Sequence, residues 1–333
     1  MINMSLLYDT AVRVAEGLAD KEDLRALRGR AKGFFRLLRH GAYPLHRNEK
    51  FSPFFVIGSG RCGTTLFRRL MQAQGNTYIP PENWALGRCI QQYHKYGWSM
   101  DWKDMVDLQV GTLSHRSHHW FESPPRDLVR SLHSLPSEER SLAALINAEY
   151  MYHAGLKGRE PKRWGDKTPG NVFCAEAISE VFPEAKFIHL LRDGVDVVAS
   201  WIKYDPYTAD LEGAIEKWRC SARLARKFLD THPEKGMEVR YEDLVRKPDQ
   251  EMESVCRFLD HPFDSGRLEE RDPLSTMDDV VGRDRHENIK KSISTDGIGK
   301  GRRQLSTAQK KVVKEQMGDT LQLMGYEPTS LQG

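Results

Sequence analysis

The chain has 333 residues, 39% hydrophobic and 29% charged, with 50 basic against 47 acidic side chains for a formal charge of +3. This is an ordinary globular balance and excludes a disordered, collagen-like or disulfide-scaffold protein. No stretch approaches the roughly 18 uncharged apolar residues of a membrane span, and the five widely spread cysteines contain no CxxC pair.

Taken in chain order, the start MINMSLLYDTAVRVAEGLA carries acids inside its apolar part and reads as neither anchor nor signal peptide. With reduced thiols expected, this points to a cytoplasmic protein. Residues 1–50 are read as N-terminal helices. Within 21–40, seven basic residues face two acidic ones, and Leu24, Leu27, Ala31, Phe34, Phe35 and Leu38 recur at helical spacing. Such a helix either packs on the domain with its cationic face in water or lies peripherally on an anionic membrane. A net charge this small gives no reason to expect nucleic acid.

Phe54-Phe55-Val56-Ile57 then reads as a buried strand ending at glycines, and a helical pattern begins at Thr64. Residues 82–160 read as a helical insertion with a polar, aromatic loop, SHRSHHWFESPPRD. Lys186-Phe187-Ile188-His189-Leu190-Leu191 is a second strand, followed by a helix over 193–203. A long helix over 211–231 leads to a third strand at 237–241. Strands alternating with helices predict one α/β domain over 51–328: a P-loop-like three-layer α/β/α arrangement with a central parallel sheet and a helical insertion.

At the first strand-to-helix junction stands Gly58-Ser59-Gly60-Arg61-Cys62-Gly63-Thr64-Thr65. Glycines allow a tight turn, after which successive amides and the helix N-terminus face a phosphate. The spacing is that of a P-loop, but Thr64 stands where a nucleotide triphosphatase has lysine, which argues against ATP or GTP hydrolysis. The alternative is a glycine-rich turn that binds nothing. At the end of the second strand, Arg192 emerges at the carboxyl edge of the sheet and Asp193 can cap the next helix. Ser200 follows two helical turns later, so a guanidinium and a hydroxyl can grip one anion. By itself, an arginine before a helix is more often a salt-bridge partner.

These residues resemble a known family. RCGTTLFRRLM is similar to the 5′-phosphosulfate loop of sulfotransferases that use 3′-phosphoadenosine 5′-phosphosulfate (PAPS), and FIHLLRDGVDVVASWIK to their 3′-phosphate motif. Three further stretches agree in order: Trp164-Gly165-Asp166-Lys167-Thr168-Pro169, Arg240-Tyr241-Glu242-Asp243-Leu244 and Ile298-Gly299-Lys300-Gly301-Arg302-Arg303-Gln304-Leu305. The resemblance spans residues 53–327 and is nearer the bacterial and tyrosylprotein-type branch than the cytosolic one. Two departures are Cys62 for the usual serine and Gly301 where tryptophan is frequent.

The resemblance implies PAPS as co-substrate, no metal, and a cofactor site made of Arg61, Cys62, Gly63, Thr64, Thr65, Arg192, Ser200, Tyr241, Lys300 and Arg302. Sulfuryl transfer resembles phosphoryl transfer, with in-line attack and charge building on the leaving oxygen, so cations gather there. Arg61 is one and, by resemblance, Lys167 another. Glu82, in Ile79-Pro80-Pro81-Glu82-Asn83-Trp84, matches the glutamate base of the tyrosylprotein-type branch; the plain alternative is an acid at a helix start. His94, His118 and His119 are rivals for the base, as the cytosolic branch uses histidine. Aromatics over 83–135 leave the hydroxyl acceptor open among carbohydrate, lipid-linked and small-molecule classes. Two other readings stand beside this one: a P-loop kinase with an altered loop, and a non-catalytic nucleotide-binding protein. The oligomeric state is left open.

Overall fold

The computed structural model describes residues 43–48, 51–116, 120–121, 125–204, 210–269 and 293–328. The expected N-terminal basic helix over 21–40, His118 and His119 lie outside these. Among the described residues, the elements run β1 (Phe54–Gly58), α1 (Thr64–Ala73), β2 (Thr77–Tyr78), α2 (Leu86–Tyr96), α3 (Trp102–Arg116), α4 (Arg126–His133), α5 (Leu142–Leu156) and β3 (Arg163–Asp166). A 3-10 turn (Pro169–Cys174) then leads to α6 (Ala175–Val181), β4 (Lys186–Leu191), α7 (Gly194–Tyr204), α8 (Leu211–Thr231) and β5 (Gly236–Arg240). The chain closes with α9 (Tyr241–Arg246), α10 (Pro248–Phe258), α11 (Gly266–Glu269), a 3-10 turn (Thr295–Gly297), α12 (Lys300–Gln304) and α13 (Thr307–Leu323).

Five strands form one parallel sheet in the order β2-β3-β1-β4-β5. Parallel strands need helical crossovers, which cover both faces and leave the strands apolar on both sides. In β1 every residue is buried, and side chains two apart share a face. Phe54 and Val56 join one core with Ile188, Leu190, Trp218 of α8 and Met317 of α13. Phe55 and Ile57 join the other with Phe187, Tyr93 of α2, Tyr150 of α5 and Phe228. A smaller cluster of Trp102, Val106, Leu128, Leu132 and Leu145 knits α3, α4 and α5 together. The helical insertion thus packs under one face of the sheet.

Capping marks several helix starts as the sequence allows: Ser141 accepts from the Ala144 amide, Asp210 from that of Gly213, and Ser306 with Gln309 forms a capping box. Two strands carry little sequence signal, because β2 is two residues long and β3 holds one large apolar residue, Trp164, among Arg163, Gly165 and Asp166. Another difference concerns Glu82, which precedes α2 by four residues and so does not sit in a helix start.

Gly165 lies flat against the ring of Phe54, and a Cβ there would enter that ring, itself fully buried. Gly165→Ala is therefore expected to destabilise the protein by about 1–3 kcal/mol, the usual cost of overpacking. A lower denaturant midpoint at unchanged slope is the expected reading; an unchanged midpoint would mean that β3 yields.

Candidate active site

All four strand ends that bear candidate residues open on the carboxyl edge of the sheet, where ligands of open α/β folds bind. The pairing aligns Gly58 with Leu190 and Leu191 with Arg240, so Arg192, Tyr241 and the loop after β1 emerge side by side. β3 ends earlier: Asp166 is level with Phe55, three residues short of the end of β1. At about 3.3 Å per residue this sets the end of β3 back by roughly 10 Å, a notch in the line of strand ends. Lys167 and Thr168 follow β3 directly there and are buried.

In the loop after β1, Arg61 adopts φ 71° and Gly63 φ 89°. A side chain at Gly63 would meet the Tyr241 ring at 2.5 Å, so the turn rests on that ring. Gly63 opens α1 with no side-chain cap, which leaves the first-turn amides of Thr64 and Thr65 free to serve an anion. Cys62 is buried, and burial pushes its thiol up to about 12, so it stays protonated and acts as a packing residue.

Arg61 donates from Nε to Ser200 Oγ at 3.0 Å, while its guanidinium lies 5.3 Å from the Tyr204 ring centroid. Ser200 thus meets Arg61, where sequence spacing pairs it with Arg192. Arg192 donates instead to the carbonyls of Arg61 at 3.2 Å and Gly297 at 2.7 Å, and stacks 4.3 Å over Tyr241. Its Nε is buried without a hydrogen-bond partner, an unspent donor.

The carboxyl-terminal stretch is docked across this edge. Asp196 of α7 accepts from the amides of Gly299 at 2.9 Å and Gly301 at 2.6 Å. A side chain at Gly301 would strike the backbone of Val195, which accounts for glycine where the family often has tryptophan. Arg302 bonds Asp193, which also caps α7 by accepting from Val195. Burial raises the Asp193 carboxyl, and Arg302 works against that shift. Arg302 therefore serves the fold in this structure, and Lys300 opens α12, half-buried.

Across the notch, Lys167 Nζ donates to Glu82 Oε1 at 2.5 Å. The lysine is only 3% exposed and the glutamate 33%. The two segments are laced together beside this pair, because the Asn83 amide donates to Thr168 Oγ1 at 2.8 Å. On the other side, Trp120 Nε1 donates to the Pro81 carbonyl at 3.0 Å. His94 is exposed near the end of α2, eight residues and about 12 Å along the helix from its first residue.

Residues 53–265 match the model of the sulfotransferase family. A protein-tyrosine sulfotransferase of Drosophila melanogaster is 26% identical over 228 residues, 66% of this chain and 40% of that protein. A putative protein-tyrosine sulfotransferase of Caenorhabditis briggsae is 22% identical over 73% of this chain and 78% of its own length. This chain therefore spans less than half of the Drosophila relative. The sulfotransferase domain from the curacin biosynthetic pathway shares the fold, with a TM-score of 0.51 at 19% identity over 83% of this chain and 98% of that one. No helix among the described residues is long and apolar enough to cross a membrane.

Several buried polar residues around the notch escape sequence reading. Asp166 accepts from the Tyr150 hydroxyl and from Asn171 Nδ2 at 3.0 Å, and burial pushes its carboxyl up to about 6. In α5, Glu149 and His153 lie one turn apart, and Tyr78 Oη is 2.9 Å from His153 Nδ1. The available signal is that α5 is apolar on nearly all sides, so these two polar residues have nowhere exposed to go. Glu149 is fully buried, neither carboxylate oxygen has a hydrogen-bond partner, and burial raises its carboxyl well above the usual range. A raised folded value means that the native state holds its proton while the unfolded chain releases it, so stability falls as pH rises past the value of a free glutamate. Glu149→Gln keeps the neutral shape and is expected to melt several degrees above the parent at pH 8. That gain should close as the pH drops to the range of an unperturbed carboxylate; melting curves over this span check it, and a constant difference would refute it.

Proposed function

The chain belongs to the sulfotransferase family, and from that premise we propose that it transfers a sulfuryl group from PAPS to an acceptor hydroxyl, with Glu82 as the general base. The observation that carries this reading is the Glu82–Lys167 pair, 2.5 Å apart just after β3, the strand that pairs with β1. A carboxylate suited to take a proton and a cation suited to stabilise a leaving oxygen thus follow the neighbour of the strand that leads into the anion cradle. PAPS, when bound, supplies the activated sulfuryl group and a stable phosphate leaving group.

The residues fit such a ligand. The uncapped start of α1 with Arg61 offers amides and a guanidinium to the 5′ end. Half-buried Arg192, with its unspent Nε, supports the reading of a 3′-phosphate contact, and Ser200 stands within reach through Arg61. Tyr241 carries both the turn at Gly63 and the face of Arg192, so its role is to position them. Lys300 is assigned to the same phosphate edge. In the reaction, Glu82 removes the proton of the acceptor hydroxyl, and Lys167 and Arg61 face the charge that develops on the departing side. The names of the relatives support a hydroxyl acceptor, since the D. melanogaster protein acts on protein tyrosine.

Two measurements test this. Arg192→Ala is expected to weaken 3′-phosphoadenosine 5′-phosphate by one to two orders of magnitude, the worth of a charge-assisted contact of roughly 1.5–3 kcal/mol, and to leave adenosine 5′-phosphate nearly unaffected. Equal losses would make Arg192 a support of the fold. Glu82→Gln, which still offers an oxygen to Lys167, is expected to lower kcat by about two to four orders of magnitude while the affinity for 3′-phosphoadenosine 5′-phosphate holds. Retained turnover in that variant, with loss in His94→Ala, His118→Ala or His119→Ala, would move the base to a histidine.

A further inference from the structure

Trp84 and Phe173 are 58% and 63% exposed, the two most exposed large apolar side chains among the described residues. They come from the two segments that carry the reactive pair. Burial alternates over residues 81–85: Pro81, Asn83 and Ala85 are buried, Glu82 is half-buried and Trp84 exposed. Glu82 and Trp84 are therefore the two residues of this run that reach the surface. A side chain at Gly170 would meet the Trp84 ring at 2.5 Å, so the indole packs against that glycine. Gly170 and Phe173 are three residues apart in a 3-10 turn, where such positions eclipse. The Trp84 ring and the Phe173 ring thus share one surface, which begins two residues from the carboxylate of Glu82.

We infer that Trp84 and Phe173 form the platform on which the apolar body of the acceptor lies, and that the acceptor is an aryl or alkyl alcohol rather than a sugar. This rests on the reading of Glu82 as the base. The chemistry of the surroundings favours the apolar class. Besides Glu82, the polar side chains Asn83, Thr168 and Asn171 of the same two segments are buried and bonded within the protein: Thr168 accepts from the Asn83 amide, Asn83 Oδ1 accepts from the Ala85 amide, and Asn171 donates to Asp166. A sugar needs its remaining hydroxyls matched, whereas an apolar chain or ring needs only area. The size of the patch points the same way. Two aromatic side chains offer at most about 300–500 Å², short of the roughly 800 Å² per partner of a stable protein interface but sufficient for a ring with a short chain.

The test compares phenol, 4-butylphenol and methyl glucoside as acceptors of the sulfuryl group of PAPS, with binding of 3′-phosphoadenosine 5′-phosphate and of each phenol followed separately by calorimetry. Full burial of one methylene is worth about fourfold, and a platform open on one side about half of that in free energy. 4-Butylphenol should therefore exceed phenol by about tenfold in kcat/KM and in affinity, and methyl glucoside should trail both. Trp84→Ala and Phe173→Ala should each shrink this ratio to threefold or less, with Trp84→Phe restoring part of it and the nucleotide affinity unmoved. A ratio that survives in both alanine variants, a preference for the glucoside, or a parent protein that binds the nucleotide but neither phenol would overturn the platform. So would a change in sedimentation of the alanine variants, which would give the face to a second copy of the chain. Failure of the parent to bind 3′-phosphoadenosine 5′-phosphate is a separate outcome and defeats the cofactor reading beneath the proposal.

Discussion

The early end of β3 is the constraint on which the rest of the site depends. Had β3 run level with β1, the backbone after Asp166 would emerge beside the loop of Arg61 and the sheet edge would be flush. Because Asp166 pairs with the level of Phe55 instead, the chain turns inside the edge and carries Lys167 into a buried position. What holds it there is polar: Asp166 is fixed by Tyr150 and Asn171, and Thr168 by the Asn83 amide. Gly165 against Phe54 lets β3 approach β1 closely. The notch is thus made by strand register and lined by side chains whose hydrogen bonds are internal.

A second organising group is the pair Arg192 and Asp196, one helical turn apart at the start of α7. Asp196 gathers the amides of Gly299 and Gly301, and Arg192 gathers the carbonyls of Arg61 and Gly297. Each charge therefore meets backbone groups of opposite polarity, in addition to their own approach at 3.7 Å. Charged groups bonded to backbone dipoles in a partly buried setting are worth more than surface ion pairs. The consequence is that the loop after β1 and the carboxyl-terminal stretch, about 240 residues apart in sequence, are read by one guanidinium. Gly297 and Gly301 of that stretch permit close contact with Tyr241 and the α7 backbone.

The central strands were legible because each carries its own signal, a largely apolar run followed by glycines or by Arg192-Asp193 and a helix. β2 and β3 were not, since they are short and are defined by what they pair with rather than by what they contain. The same division holds in the site. The loop of Arg61 and the helix after Arg192 are local motifs and could be placed by spacing, whereas the Arg61–Ser200 bond and the Tyr241 support arise from neighbouring strand ends that only register brings together. Glu149 and His153 are intermediate: an apolar helix requires them to be buried, but sequence gives no sign of which neighbours they meet.

The Glu82–Lys167 pair joins these threads. An ammonium that is 3% exposed needs an anion, because the cost of burying an unpaired charge exceeds what packing returns. In this structure Glu82 is that anion, so the two side chains form one coupled unit. Trp84 lies two residues beyond Glu82 and Phe173 six beyond Lys167, so this pair and the two most exposed large apolar side chains among the described residues are set by the same two short stretches of chain.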